Sequence, residues 1–121
     1  MRCGSAGYIA PELLRTRDWA ALCLEECPAS TESEDDRALA FLKLDVFSMG
    51  MLLYAMVTGT NDFIADNMDK SYRLNARGQL SKTTLMKLPQ KLQSLISILC
   101  QVEAHKRGSM LDACSHPWMI R

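Results

Sequence analysis

Asp45 is followed by Val46, Phe47, Met49, Met51, Leu52, Leu53, Tyr54, Met56 and Val57, a run interrupted by Ser48, Gly50 and Ala55. These apolar positions cover nearly every face of a helix, which is the pattern of a helix packed on all sides. The run is about twelve residues long, whereas a membrane span needs ~20. It therefore predicts the buried central helix of a soluble protein over residues 45–58. Asp45 is placed to cap its N-terminus by accepting from the free N–H groups of the first turn. Gly59 is a natural stop at the other end.

The rest of the chain must supply the packing around that helix. Of its 121 residues 48% are hydrophobic, enough to fill the core of one domain or part of one. Pro89 precedes Leu92, Leu95, Ile96, Leu99 and Val102 at amphipathic spacing, a second helix with one apolar stripe. Residues 103–108 break it. Ser109-Met110-Leu111-Asp112 reads as a capping box opening a last short helix, which Pro117 must end or closely follow. Pro11 suits the first position of a short helix, with Glu12 in its first turn. Residues 60–88 are mixed: Phe63 and Ile64 can pack back on the core, and Thr83–Lys87 reads as a short helix. No strand pattern or internal repeat emerges, so the expected class is mainly α.

Residues 15–43 differ in kind. Trp19 to Leu24 is apolar, whereas Pro28 to Arg37 is polar and acidic and reads as a solvated loop.

Several function classes fall away on composition. Lys and Arg total 14, as do Asp and Glu, so no global field draws in nucleic acid or an anionic membrane. No basic stripe with interleaved aromatics is present. The cysteines Cys3, Cys23, Cys27, Cys100 and Cys114 are irregularly spaced, and His105 and His116 stand alone, which argues against a metal site. Free thiols fit a reducing interior, and an intracellular, cytoplasmic location is expected.

Three stretches, in order, resemble the C-terminal lobe of protein kinases. Gly4-Ser5-Ala6-Gly7-Tyr8-Ile9-Ala10-Pro11-Glu12 is similar to the end of an activation segment of the serine/threonine type, Gly-Thr-x-x-Tyr-x-Ala-Pro-Glu. Asp45 to Tyr54 resembles the start of the lobe's central buried helix. Arg107-Gly108-Ser109 with His116-Pro117-Trp118 resembles the family's Arg-x-Thr/Ser and closing His-Pro-Trp. The resemblance covers the chain except residues 15–43, which look like a loop insertion. It implies a partial kinase C-terminal lobe, from the end of the activation segment through the last helix, without the N-terminal lobe.

Roles carry over residue by residue. Glu12 and Arg107 would form the buried ion pair tying the activation segment to the lobe. Gly4, Ser5 and Tyr8 would be substrate-binding, with Ser5 and Tyr8 lining the pocket for the residue after the phosphorylated one. Asp45 would accept N–H groups from the catalytic loop, a role compatible with plain N-capping. Trp118 would fill core. Departures include Ser5 for the commoner Thr, Glu103-Ala104 where Asp-Pro is usual, and Ala55 where some basic-directed kinases carry Glu.

Phosphoryl transfer needs a Gly-rich loop, a strand Lys, a catalytic Asp and magnesium ligands. No G-x-G-x-x-G, His-Arg-Asp or Asp-Phe-Gly occurs in these residues. In family order all of these precede Gly4, so no catalytic, cofactor-binding or metal residue is expected in this chain. ATP and magnesium are implied for a full-length parent. The expected function is that of a fragment of a serine/threonine kinase, inactive alone. The alternative is a non-catalytic kinase remnant that acts as a protein-binding module. The expected partner is a protein substrate or partner protein, with no nucleic acid and no membrane. Without the preceding elements, part of Val46–Val57 or of the Leu92–Val102 stripe is expected to be exposed.

Overall fold

The computed structural model describes residues 6–15 and 34–120. Every regular element among them is helical: α1 (Pro11–Arg15), α2 (Glu34–Thr58), α3 (Met68–Arg77), α4 (Lys82–Met86), α5 (Gln90–Leu99), a short 3-10 turn at Ala104–Lys106, and α6 (Met110–Cys114). The mainly α class is as expected.

The central helix begins at Glu34, not at Asp45. The solvated loop read over Pro28–Arg37 thus ends sooner than expected, and its residues 28–33 lie outside the described residues, as do Trp19–Leu24. The reason is local. Glu34, Asp35 and Asp36 sit where a helix favours negative charge, and residues 37–44 are good helix formers with neither Gly nor Pro. Asp45 therefore lies inside the helix and is not its N-cap, because the N–H groups that follow it are already bonded within the ladder. Thr58 ends the helix, and Gly59 follows with φ 75°.

Burial of α2 is one-sided: its all-round apolar pattern is packed on one face only, and part of Val46–Val57 is exposed, as expected where the preceding elements are not present to cover it. Val46, Phe47, Met51 and Tyr54 are buried, while Leu42, Met49, Leu52, Met56 and Val57 are exposed. The buried face meets α5, whose Leu92, Leu95, Ile96 and Leu99 are all buried as their spacing requires. Each such side chain contributes ~1.5–3 kcal/mol on leaving water. Gly50 permits the close approach: a Cβ there would lie 2.6 Å from Cys100 Sγ and 2.7 Å from Leu99 Cβ. Burial pushes the Cys100 thiol up to about 12, so it is a packing group and not a nucleophile. Phe63 stacks on Phe47 with ring centroids 6.5 Å apart, whereas Ile64 is exposed.

Helix α3 falls within residues 60–88, where no helix was expected before Thr83. The Asn67 side chain accepts from Lys70 N–H at its start, and Gly78 closes it in the left-handed conformation. Its fully buried positions are Ser71 and Asn75, with the cap Gly78 below them and Leu74 alone packing partly buried against the core, so its buried face is mostly small and polar and carries no apolar period. Helix α4 has Ser81 as N-cap.

The capping box of α6 is present, with Ser109 Oγ accepting from Asp112 N–H and Asp112 accepting from Ser109 N–H. The bond from Ser109 N–H, and then the Ser109 hydroxyl, hold the Asp112 carboxyl below the usual range. Trp118 does not fill core as expected; it is 39% exposed. His116 is the buried member of the closing motif. Its Nδ1 accepts Trp118 N–H at 3.1 Å and its Nε2 lies 3.1 Å from Ser94 Oγ. Anchoring the turn through the imidazole leaves the indole to solvent.

Gly50→Ala tests the α2–α5 contact. Helix propensity alone would stabilise by up to ~1 kcal/mol, but overpacking against Leu99 and Cys100 costs ~1–3 kcal/mol. The expected result is a lower urea midpoint at unchanged slope; a raised midpoint would refute the close packing.

Candidate functional site

Arg107 and Glu12 are 95 positions apart in sequence, and their side chains meet in a two-point contact, Nη1 to Oε1 at 2.6 Å and Nη2 to Oε2 at 2.9 Å. Both are buried. The remaining guanidinium N–H groups also find oxygen. Nε donates to Gln101 C=O at 2.9 Å, Nη1 to Lys43 C=O at 2.7 Å and Nη2 to Val102 C=O at 3.3 Å. All five donors of the planar fork are used. The Lys43 ammonium returns a bond to Arg107 C=O, and the guanidinium lies 5.0 Å from the centroid of the Phe47 ring. Four segments converge here: α1, α2, the turn after α5 and the 3-10 turn. A lysine could not replace this arginine, since it lacks the fork.

The pair fixes one end of residues 6–15. Side chains from three other places fix the preceding backbone. Ser48 Oγ of α2 donates to Tyr8 C=O at 2.7 Å. Asn61 Nδ2 donates to Gly7 C=O at 3.1 Å. Asn75 of α3 accepts from Gly7 N–H and Ile9 N–H and donates to Ile9 C=O. Gly7 has φ 99°, a conformation costly for residues with a Cβ, and a Cβ there would lie 2.8 Å from Asn61 Nδ2. Tyr8 is half-buried and packs against the core.

The structure thus places Glu12 and Tyr8 on one clamped segment, which Arg107 holds from the turn that follows α5. Gly4 and Ser5 lie outside the described residues. Asp45 is exposed on α2, in one stripe with Leu42, Met49, Leu52 and Met56, spaced alternately by three and four residues. Ser48, Asn61, Asn75 and Lys43 were missed in the sequence. A buried Asn on a helix with few apolar residues looks like surface; the caps Asn67 and Gly78 were the available signal for α3. Elsewhere Tyr54 OH donates to Asp62 at 2.7 Å, and Asp62 also accepts Ser81 N–H at 2.8 Å. Burial first, then the Asp62 hydrogen bond, push the Tyr54 phenol far above its ordinary range, so it stays a neutral donor.

Among the described residues, no group of three or more His, Cys, Asp or Glu side chains could hold a metal ion. No described helix is long and apolar enough to cross a membrane.

Residues 1–119 match the family model described as the protein kinase domain. The chain is 28% identical over 119 residues to the serine/threonine-protein kinase RAD53 of Saccharomyces cerevisiae, covering 97% of this chain and 14% of that protein. It is 26% identical over 118 residues to the serine/threonine-protein kinase cds1 of Schizosaccharomyces pombe, covering 96% of this chain and 22% of the relative. The crystal structure of the Rad53 kinase domain and SCD2 superposes with a TM-score of 0.69 at 23% identity, covering 97% of this chain and 36% of that one. The chain therefore spans less than a quarter of the length of these two curated relatives.

Breaking the ion pair from either side is expected to be severe. Glu12→Ala or Arg107→Met leaves the other charge buried and should cost ~3–5 kcal/mol. The double variant Glu12→Leu with Arg107→Met should lose less than the sum of the single losses. Urea denaturation of all three checks this; single variants within ~0.5 kcal/mol of wild type would mark the pair as inert.

Proposed function

Since the chain belongs to the protein kinase domain family, we propose that these residues form the substrate-side part of the larger lobe of a serine/threonine kinase. The observation that carries this reading is the clamped segment. Its Glu12 end is locked by Arg107, and its Gly7–Ile9 backbone is held by side chains from α2, α3 and the intervening loop. A backbone so held offers Tyr8 as a fixed wall, with Ser5 beside it in sequence, against which an extended protein substrate lies. Positioning is most of what a protein contributes to phosphoryl transfer.

Two of the described carboxylates are already taken up by the fold, which supports a reading in which magnesium-ATP is held elsewhere. Asp62 is engaged by Tyr54 and Ser81, and Asp112 by its capping box. In the proposed parent, ATP and magnesium are held by residues outside this stretch. The protein partner is the substrate itself.

The exposed stripe of α2 favours a second feature of the same reading. An apolar row with one carboxylate, Asp45, is a docking face for further polypeptide, and Asp45 can accept backbone N–H groups from it. The alternative of a non-catalytic protein-binding module draws on the same face.

Two measurements separate these readings. The purified chain with magnesium-ATP and a general protein substrate should transfer no phosphate; magnesium-dependent transfer would overturn the proposed division of labour. A RAD53 kinase domain in which these residues replace the matching stretch should phosphorylate serine or threonine. A chimera that binds ATP and folds yet transfers nothing favours the non-catalytic module.

A further inference from the structure

Asn75 is fully buried, and its carboxamide performs a task that secondary structure performs elsewhere. Residues 7–9 belong to no helix or strand, so their polar groups need other partners once buried. Asn75 Oδ1 accepts Gly7 N–H at 2.9 Å and Ile9 N–H at 3.2 Å, and Nδ2 donates to Ile9 C=O at 2.6 Å. One planar amide thereby closes both the N–H and the C=O of Ile9, as a neighbouring strand would. The group must offer two acceptor lone pairs and a donor together, which a carboxamide does. A carboxylate would face Ile9 C=O with a second acceptor, and an apolar side chain would orphan three backbone groups.

We propose that Asn75 is a positioning residue, setting through Gly7–Ile9 where Tyr8 stands and hence which side chain is preferred after the phosphorylated serine or threonine. Asn75 touches no substrate; it acts through Tyr8. The inference rests on the reading of Tyr8 as part of the substrate wall. It makes α3 a lever on selectivity, since a shift of that helix is carried to Tyr8 by three hydrogen bonds and no intervening side chain.

The test has two readouts on the purified chain. The first is amide hydrogen exchange, residue by residue, in wild type, N75S and N75L. Gly7 and Ile9 should exchange ~tenfold faster or more in both variants, with Leu95 and Ile96 unchanged. The second is binding of serine peptides identical except at the residue after the serine. Wild type should discriminate among them, and the variants should lose most of that discrimination while still binding. Should N75L lose its helical signal, S48A and N61A each remove one bond to the same backbone and should weaken the preference in the same direction, by less. Discrimination that survives in N75S, or unchanged exchange at Gly7 and Ile9, overturns the role of Asn75. A wild-type chain that shows no preference, with exchange behaving as expected, overturns the substrate-wall reading instead, and the selectivity role falls with it.

Discussion

The buried contact between Glu12 and Arg107 is the constraint on which the rest depends. Removing two charges from water costs several kcal/mol per ion, and the attraction between them offsets this only when every remaining donor is met. Here the guanidinium meets carboxylate or carbonyl oxygen at all five N–H groups. That requirement dictates where four segments must be at once. α1 brings the carboxylate, α2 the Lys43 carbonyl and the Phe47 ring, and the turn after α5 brings two carbonyls. None of them can withdraw without leaving a buried charge or donor unmet. The pair is less a source of net stability than a statement of position.

Around this hub the molecule has two unlike sides. On one, polar side chains from separate elements finish the backbone of residues 7–9, so a stretch without regular structure is held as firmly as a strand. On the other, α2 offers Leu42, Met49, Leu52 and Met56 to solvent with Asp45 among them. The proposed function gives the contrast a meaning: on that reading the first side holds still and the second is covered by further polypeptide.

What could be read in the sequence follows the same division. The α5 stripe, the α6 capping box and Pro11 at the head of α1 are local patterns, and each lies where its pattern put it, except that α5 stops at Leu99 and leaves Val102 in the turn beyond. Glu12 and Arg107 carry no local signature of contact; a family resemblance, not periodicity, connected them. α3 was invisible because its buried positions are Ser71 and Asn75 with a single apolar neighbour, Leu74, against the core, and an apolar period is the signal that sequence reading relies on. The N-terminal half of α2 was hidden by its acidic start, which looks like solvated loop until the helix formers behind it are weighed. Trp118 was read as core from its place in the closing His-Pro-Trp, yet the buried imidazole two positions earlier does the anchoring.

The order of synthesis gives the clamp a clock. Arg107 is synthesised 95 positions after Glu12; at ~5–20 residues per second the carboxylate waits on the order of ten seconds for its partner. Asn61 and Asn75 arrive in the interval, so the Gly7–Ile9 backbone acquires its polar partners before Glu12 does. Of the groups that hold residues 7–12, the guanidinium is thus the last to be synthesised, and it closes a segment whose other partners are already available.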